Sequence, residues 1–218
     1  MTQTLRVHPA NPQPRLLRRA ATVLRDGGVI AYPTDSSYAL GCRIGDADAA
    51  TRIRELRGVD TRHHLTLVCR SLAQVGRFAR MDNFQFRVVR LATPGAFTFL
   101  LRATDEVPRR VQHPKRSTIG VRVPAHPVVD ALLAELDEPI LSSTLILPGE
   151  TEPLNDAAQI EARLHRRIEA IIDAGPCVAV PTTVVDLSVS PPILVRRGLG
   201  DPALLGLSVG DPGAVEVN

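Results

Sequence analysis

The chain has 218 residues, a formal net charge of +3 and a hydrophobic share of 44%, values that are typical of a globular protein in water. No run approaches the ~18 consecutive apolar residues of a membrane-spanning helix, and residues 1–14 lack the apolar core of a signal peptide. These features argue against a membrane protein and predict a single cytoplasmic domain with one sizeable core.

The three cysteines, Cys42, Cys69 and Cys177, lie far apart and form no CxxC pair. This spacing disfavours a zinc site and a disulfide framework. Cys42 and Cys69 lie in apolar segments, so we expect them to be small buried core residues rather than nucleophiles.

Helical periodicity and capping residues predict six helices along the chain. Asp46 is placed to cap the second helix and Gly58 to end it, while Gly27 and Gly28 stop the first. The predicted helices cover residues 14–25, 47–57, 71–78, 82–91, 127–136 and 156–168.

Short apolar runs between these helices predict the strands of a buried sheet. They cover residues 29–32, 65–69, 97–102, 118–123, 171–172, 182–187 and 193–196, and a further strand opens at residue 139. Some strands are separated by helices and others follow one another directly. This order predicts an α/β (α+β) fold with a twisted, mixed parallel and antiparallel sheet covered by helices.

Several predicted strands carry hydroxyl or cationic side chains in or just after an apolar run. The residues concerned are Thr34, Arg122, Ser142, Thr144, Thr182 and Arg196. Ligands of α/β sheets bind at the carboxyl ends of strands, where such groups can contact phosphate or a polar substrate. Ser and Thr more often form caps and turns, and an Arg in a strand is more often an edge or rim residue. The prediction of a site therefore depends on these residues converging on one sheet.

Motifs of several common enzyme classes are absent, including a P-loop, a GxGxxG turn before a helix, a Ser-His-Asp signature and HExxH. The six histidines are scattered. We expect His126, which precedes Pro127, to start a helix rather than to act as a base. His63 and His64 lie in a cationic loop, where a solvated loop is favoured and a phosphate contact stays open.

Cationic clusters lie at Arg109, Arg110, Lys115 and Arg116, and again at Arg163, Arg166 and Arg167. Most such clusters are solvated faces, but they also fit an electrostatic footprint for RNA. The aromatic residues do not interleave with them. This weakens the case for stacking on single strands but not for duplex RNA, which is bound through its shape and backbone.

Five segments, taken in order, resemble the YrdC-like (threonylcarbamoyladenylate synthase) family. They are residues 28–42, with the sequence GVIAYPTDSSYALGC, then 94–98 (PGAFT), 118–124 (TIGVRVP), 182–187 (TTVVDL) and 195–198 (VRRG). The resemblance covers roughly residues 11–200. It implies a single YrdC-like domain with a concave basic groove over that range, followed by a C-terminal tail at residues 201–218.

The resemblance implies a reaction in which threonine, bicarbonate and ATP, as its Mg²⁺ complex, give threonylcarbamoyl-AMP and pyrophosphate for tRNA modification. Thr34 and Thr182 would contact threonine, and Arg122 would pair with its carboxylate. The nucleotide would be contacted by Arg57, Ser142, Thr144 and Arg196. Such a transfer needs positioning and cations around the triphosphate more than covalent help. No catalytic side chain or protein metal ligand is therefore expected.

Two departures from the family pattern bear on this activity. The family's Lys-x-Arg stands here as Arg57-Gly58-Val59, and its Ser-Ala-Asn stands as Thr144-Leu145-Ile146. A lost charge-assisted hydrogen bond costs about 1.5–3 kcal/mol, so two losses would weaken or abolish synthesis unless Arg62 or His63 compensates. The same departures resemble the YciO branch of the family.

Two alternatives to a synthase stay open on the sequence. In the first, the groove binds double-stranded RNA or tRNA without catalysis, through Arg62, Arg109, Arg110, Lys115 and Arg116. In the second, it binds some other phosphorylated metabolite. Fold alone does not decide among these functions. RNA binding through several phosphates would weaken steeply with salt, whereas threonine binding would not.

Overall fold

The computed structural model describes residues 1–63 and 65–206 of the chain. Six α-helices lie in this part: α1 (Pro14–Arg25), α2 (Ala47–Arg57), α3 (Leu72–Phe78), α4 (Asn83–Leu91), α5 (Pro127–Leu136) and α6 (Ala157–Leu164). The strands are β1 (Gln3–Arg6), β2 (Ile30–Tyr32), β3 (Ala39–Arg43), β4 (Thr66–Val68), β5 (Ala79–Arg80), β6 (Phe97–Ala103), β7 (Thr118–Arg122), β8 (Ile140–Thr144), β9 (Ala170–Asp173), β10 (Thr183–Asp186) and β11 (Ile193–Arg196). Two 3-10 helices cover Arg109–Val111 and Pro202–Leu205.

These strands form one mixed sheet in the order β1-β9-β2-β3-β8-β4-β7-β6-β10-β11, with β5 paired to β6. Four neighbouring pairs, β1 with β9, β2 with β9, β4 with β7 and β6 with β10, are parallel, and the others are antiparallel. The predicted mixed sheet covered by helices is therefore confirmed.

Alternating strand residues feed two hydrophobic cores, one on each face of the sheet. On one face, α1 and α5 pack on Ile30 and Tyr32 of β2 and on Ile172 of β9. On the other face, α2, α4 and α6 pack on a larger core that includes Leu40 and Phe99. The helices thereby fix the sheet on which the predicted site residues lie.

One half of the first face is polar where the other half is apolar. Residues paired across strands lie on the same face, so the register places Val68 beside Arg122 and Val184 beside both Thr98 and Arg196. On this face, α1 and α5 cover the strands from β1 to β8 in the sheet order. The strands from β4 to β11 carry guanidinium and hydroxyl groups on the same face, and we call this surface the polar half-face.

Local capping signals explain why several helices begin and end at the predicted residues. The Asp46 side chain accepts a hydrogen bond from the Ala49 backbone N–H at 2.9 Å, and Gly58 ends α2 with φ 64°. Asp82 and Gln85 form a reciprocal capping box at the start of α4.

The structure differs from the predicted elements at several places. β1, β3 and the two-residue β5 were not predicted, and α6 ends at Leu164 rather than at residue 168 because His165 leaves the helical conformation. In the predicted tail, residues 202–205 form a 3-10 helix in which Leu205 is buried in the larger core. Residues 207–218 of that tail lie outside the described residues.

Among the described residues, none of the helices has the length and apolar character that crossing a membrane requires.

Candidate functional site

A tight turn after β2 holds the first predicted site residue. The Thr34 hydroxyl accepts hydrogen bonds from the backbone N–H groups of Ser36 and Ser37, both at 3.2 Å, and donates to the Ser37 carbonyl at 2.7 Å. Thr34, Ser36 and Ser37 are all buried. These hydrogen bonds close the turn and fix the position of the Thr34 hydroxyl.

Arg122 connects this turn to the end of β7. Its Nη2 donates to the Asp35 carboxylate and to Ser36 Oγ at 3.0 Å, and it lies 3.4 Å from Thr34 Oγ1. The second Asp35 oxygen accepts from the Ala125 backbone N–H at 3.0 Å. Arg122 is 7% exposed, and its buried Nε has no hydrogen-bond partner among the described residues.

The expectation that a strand arginine lies at an edge is wrong for Arg122. β7 lies between β4 and β6, well inside the sheet, and the side chain is buried against the Thr34 turn. Its ion pair with Asp35 offsets the cost of burying both charges.

A second hydroxyl and guanidinium pair lies at the other side of the polar half-face. Arg196 Nε and Nη2 donate to the Thr182 carbonyl at 3.1 and 3.0 Å, and Nη2 lies 3.3 Å from Thr182 Oγ1. Thr182 Oγ1 also lies 2.9 Å from Thr98 Oγ1. Thr182 is buried, whereas Arg196 remains open to solvent. Arg196 therefore positions Thr182 while keeping a face that a ligand can reach.

Arg57, at the last turn of α2, clamps the end of β8. Its Nε donates to the Ile146 carbonyl at 2.6 Å, and its Nη1 donates to Ser143 Oγ at 2.5 Å and to the Thr144 carbonyl. The Ile146 that departs from the family pattern thus still contributes, through its backbone, to the position of Arg57.

Ser142 is bound inside the sheet rather than left open. Its hydroxyl accepts from the Tyr32 phenol at 2.7 Å and donates to the Leu40 carbonyl at 3.0 Å. Burial raises the pKa of Tyr32 to about 12, so this phenol is a neutral donor at physiological pH. Thr144, by contrast, is half-buried.

Electrostatics favour an anion beside Arg57 and Arg196. Burial, and secondly the positive charge of Arg196, lower the pKa of Arg57 to about 10. Desolvation by the surrounding protein, and secondly the charge of Arg122, lower the pKa of Arg196, even though solvent reaches part of that side chain. Neither Arg57 nor Arg196 forms an ion pair with a carboxylate in the described part of the chain. Cations that raise one another's energy without a counter-ion attract a negatively charged ligand.

The loop that follows β9 forms a wall beside the Thr34 turn. The Val180 backbone N–H donates to the Ser36 carbonyl at 3.1 Å, and that of Cys177 donates to the Asn155 carbonyl at 2.9 Å. Burial raises the pKa of the Cys177 thiol to about 11, so it is neutral at physiological pH. Cys42 and Cys69 are buried in the larger core, as predicted.

The structure brings most of the predicted site residues into two contacting groups. Thr34 and Arg122 form one group, and Thr182 and Arg196 form the other, with Arg57 near enough to sense the charge of Arg196. Ser142 is instead engaged with Tyr32 and Leu40.

Sequence reasoning missed the roles of Asp35, Ser36 and Thr98. Asp35 and Ser36 lie inside the segment that carried the resemblance, and their position directly after Thr34 was the available signal. Thr98 is a hydroxyl residue between Phe97 and Phe99 in β6, so strand alternation alone assigns it to the opposite face from those two core residues.

The residues predicted for RNA binding have different surroundings. Arg62 lies 4.0 Å from Asp60, Arg116 pairs with the buried Asp186 at 3.2 Å, and Arg110 donates to the Gly45 carbonyl. Arg109 and Lys115 are exposed. His64 lies outside the described residues. Binding of double-stranded RNA or tRNA stays a prediction.

A cavity of about 340 Å³ lies behind the residues that follow β7, with Cys69, Arg70, Pro94, His126 and Leu133 in its lining. None of the predicted site residues lines it, but Ala125, which donates to Asp35, is part of its lining. Burial lowers the pKa of His126, which carries a buried Nδ1 without a partner among the described residues.

With this geometry in hand, comparison with known proteins identifies the family. The Sua5/YciO/YrdC family profile, described as telomere recombination, matches residues 22–198. The chain belongs to this family.

Both relatives and solved structures agree with this assignment. YciO of Escherichia coli K12 is 46% identical over 201 residues, covering 92% of this chain and 98% of the relative, which confirms the predicted YciO branch. The E. coli YciO crystal structure has a TM-score of 0.92 and covers 94% of this chain and 100% of that one.

Members of the family named as synthases are more distant. Threonylcarbamoyl-AMP synthase of Halorhodospira halophila is 34% identical over 165 residues, covering 75% of this chain and 85% of the relative. Sua5 of Pyrococcus abyssi, solved in complex with L-threonine, has a TM-score of 0.83 and 29% identity, and the match covers 90% of this chain and 58% of that one.

Gly198 sets the approach of β11 to Thr182, and its replacement by alanine is expected to destabilise the protein. A Cβ at Gly198 would overlap the Pro181 carbonyl oxygen and the Thr182 carbonyl group. These are backbone atoms that cannot rotate away, so we expect a loss of about 1–3 kcal/mol of unfolding free energy in urea titrations.

Gly76 is the matched control for this prediction. It lies within α3 with nothing within 4 Å of an added Cβ, so Gly76→Ala is expected to gain about 0.5–1 kcal/mol. Equal effects of the two substitutions would contradict the close approach at Gly198.

Proposed function

We propose that this protein condenses threonine, bicarbonate and ATP into threonylcarbamoyl-AMP and pyrophosphate, the activated group for a tRNA modification. The observation that carries the proposal is the pair of guanidinium groups of Arg57 and Arg196, which interact without a counter-ion, together with the Arg196–Thr182 and Arg122–Thr34 contacts. The naming of relatives at 34% and 30% identity as threonylcarbamoyl-AMP synthases supports the same reaction.

The proposed threonine end consists of Thr34, Arg122 and Thr182. The unpartnered Arg122 Nε offers a charge-assisted donor to a carboxylate, and the fixed Thr34 hydroxyl lies beside the same guanidinium. On the far side, Thr182 is held by Arg196 and offers a second hydroxyl. These groups fit a small zwitterion with a carboxylate and a hydroxyl, and threonine is such a molecule.

The proposed nucleotide end consists of Arg57, Arg196, Thr144 and Ser142. Arg57 and Arg196 would contact the phosphates, whose negative charge compensates the repulsion between the two guanidinium groups. Ser142 could donate to a nucleotide only by giving up its bond to Leu40, because its single hydroxyl proton is used there. It therefore contributes chiefly to the position of β8.

In the proposed reaction, the threonine amine adds to bicarbonate, and loss of water gives a carbamate. A carbamate oxygen then attacks the α-phosphorus of ATP, the bond to the β-phosphate oxygen breaks, and pyrophosphate leaves with the electron pair. The side chains of this site hold the two reactants and stabilise the charge on the phosphates, which is the main requirement of such a transfer.

Mg²⁺ fits this scheme as part of the substrate rather than as a resident ion. The described residues contain no group of three or more His, Cys, Asp and Glu side chains that could hold a metal. Asp35, the carboxylate beside Arg122, is already bound by that guanidinium and by the Ala125 N–H. The ion would therefore arrive on the triphosphate of ATP.

The two departures from the family pattern lead us to expect slow turnover. Val59 offers no charge where the family has an arginine. Ile146 offers no amide where the family has an asparagine, although its carbonyl anchors Arg57. Each lost charge-assisted contact corresponds to about 1.5–3 kcal/mol, or roughly ten- to a hundredfold in rate.

Pyrophosphate release tests the proposal. Purified protein is incubated with ATP, Mg²⁺, threonine and bicarbonate, and each component is omitted in turn. We expect release that requires both threonine and bicarbonate. Release that persists without threonine would indicate another nucleotide reaction, and no release beside an active synthase control would contradict the proposal.

A further inference from the structure

The cavity of about 340 Å³ lies where two parallel strands end and a helix begins. β4 and β7 are parallel neighbours, so their carboxyl ends lie side by side. The Cys69 backbone N–H donates to the Arg122 carbonyl, and the Gly95 N–H donates to the Val123 carbonyl, both at 2.8 Å. α5, which begins at Pro127, contributes the rest of the lining. The carboxyl ends of strands are where α/β sheets bind ligands, and the volume falls within the range of about 300–1,000 Å³ that is usual for small-molecule sites.

The inner part of this cavity is apolar and uncharged. Val123, Val129 and Leu133 are buried hydrophobic residues of its lining. Cys69 belongs to the same lining, and burial raises the pKa of its thiol to about 12, so the thiol is neutral at physiological pH. A hydrophobic group fits such surroundings, because a charged group would lose its hydration there without gaining a partner.

An ion pair lies in the solvent-facing part of the lining. Among the described residues that line the cavity, Arg70 and Asp130 alone carry a charge at neutral pH. Arg70 Nε donates to Asp130 Oδ1 at 2.9 Å, and both side chains are more than half exposed. The two terminal nitrogens of Arg70 and the second Asp130 oxygen form no hydrogen bond with the described residues. The pair therefore offers a ligand both a guanidinium fork and a carboxylate oxygen.

His126 adds a polar atom without a partner to the same lining. Its Nδ1 is buried and has no hydrogen-bond partner among the described residues. Buried polar atoms are rarely left in this state, so each one calls for an explanation. Burial is the main cause that lowers the pKa of His126, and the imidazole is therefore uncharged at neutral pH. An uncharged imidazole nitrogen accepts a hydrogen bond from an ammonium group or donates one to a carboxylate, depending on its tautomer.

We propose that this cavity binds a free α-amino acid with a branched apolar side chain. The ligand's side chain would occupy the apolar interior beside Val129 and Leu133. Its carboxylate would bind the free nitrogens of Arg70, and its ammonium group would bind Asp130. Hydrogen bonding to His126 Nδ1 would supply the missing partner. The two opposite charges of the lining match a zwitterion, whereas a simple acid or amine would use only one of them.

The cavity is distinct from the proposed threonine end of the groove. Thr34, Arg122 and Thr182 are not part of its lining. The connection between the two places is a backbone hydrogen bond, from the Ala125 N–H of the lining to the Asp35 carboxylate. A threonine hydroxyl would lose its hydration in the apolar interior, so leucine should bind there more tightly than threonine. Binding at this cavity does not depend on the synthase reaction.

Calorimetric titration of the wild-type protein with L-leucine tests the site. Two analogues keep the branched apolar arm of leucine: isocaproate lacks the ammonium group, and isoamylamine lacks the carboxylate. We expect saturable leucine binding at millimolar concentration or below, and binding at least about tenfold weaker for each analogue, because each loses one charge-assisted contact. Absence of leucine binding would overturn the proposal, and so would equal binding of leucine and either analogue.

Substitutions of the ion pair locate the binding. Arg70→Met and Asp130→Asn are expected to weaken leucine binding by at least about tenfold. Both side chains are more than half exposed, so we expect both variants to fold. Arg80→Met is the matched control, because Arg80 pairs with Asp105 at 3.4 Å, both side chains are exposed, and neither residue lines the cavity. Leucine affinity in Arg70→Met equal to that in Arg80→Met would refute the site.

Competition with threonine separates the cavity from the groove. The leucine titration is repeated with threonine present in excess. Because the cavity and the proposed threonine end have different linings, we expect leucine binding to persist. Leucine affinity that falls in proportion to the threonine concentration would show that both amino acids occupy one site, and would overturn a separate site in the cavity.

Discussion

Replacing Arg122 with methionine is expected to lower the free energy of unfolding by about 3–5 kcal/mol and to abolish threonine binding. The substitution leaves the Asp35 carboxylate largely buried, with a side chain 13% exposed and its counter-ion gone. Removal of one partner from a buried ion pair has a cost in this range because the remaining charge is uncompensated. Urea unfolding and calorimetric titration with threonine measure the two effects.

The Arg70–Asp130 pair provides the matched control for Arg122. Its atoms lie 2.9 Å apart, but both side chains are more than half exposed. Arg70→Met is therefore expected to change stability by less than about 1 kcal/mol. The double variant Arg122→Met/Asp35→Asn should recover part of the lost stability, and a double variant no more stable than Arg122→Met would argue against the pair as the cause.

Replacing Arg196 with methionine is expected to reduce kcat/KM for threonylcarbamoyl-AMP synthesis by about ten- to a hundredfold, with little change in stability. The guanidinium is proposed to contact the nucleotide and also holds the Thr182 carbonyl through two hydrogen bonds. Loss of a charge-assisted contact corresponds to about 1.5–3 kcal/mol of binding or transition-state energy. Steady-state kinetics with varied ATP and varied threonine measure the effect on each substrate.

The adjacent Arg197 is the control for this second prediction. It is exposed and has the same charge, so Arg197→Met tests whether net charge alone changes the rate. We expect Arg197→Met to retain wild-type kinetics at moderate salt. Equal losses in the two variants would indicate long-range electrostatics rather than a contact at Arg196.

The elements that local signals specify were predictable from the sequence. The bounds predicted for the first, second and fifth helices match α1, α2 and α5, because Pro14, Asp46, Gly58 and Pro127 mark their ends. The strand at 193–196 also matches β11. These positions depend on backbone chemistry that acts within a few residues.

Elements that depend on partners distant in sequence were missed. β1 lies in a polar N-terminal segment and forms because its backbone pairs in parallel with β9, more than 160 residues away. β3 contains Gly41, a weak strand former, and is held between β2 and β8. Neither pairing has a signal in the local sequence.

The residues of the candidate site also divide into those that a local pattern indicates and those that depend on partners distant in sequence. Thr34, Arg122, Thr182 and Arg196 could be selected because they stand out as polar groups at the ends of apolar runs. The pairing of Arg122 with Asp35 was not predictable, because it joins the end of β7 to the turn after β2, two segments that are distant in the sequence.

Mass spectrometry of the product formed from isotopically labelled bicarbonate tests whether this protein synthesises threonylcarbamoyl-AMP. Protein, ATP, Mg²⁺ and threonine are incubated with the labelled bicarbonate, and the nucleotide fraction is analysed. We expect threonylcarbamoyl-AMP that carries the label in its carbamoyl carbon, in amounts that fall in Arg196→Met and stay unchanged in Arg197→Met. Absence of labelled product, in an assay where a synthase control forms it, would contradict the proposed function.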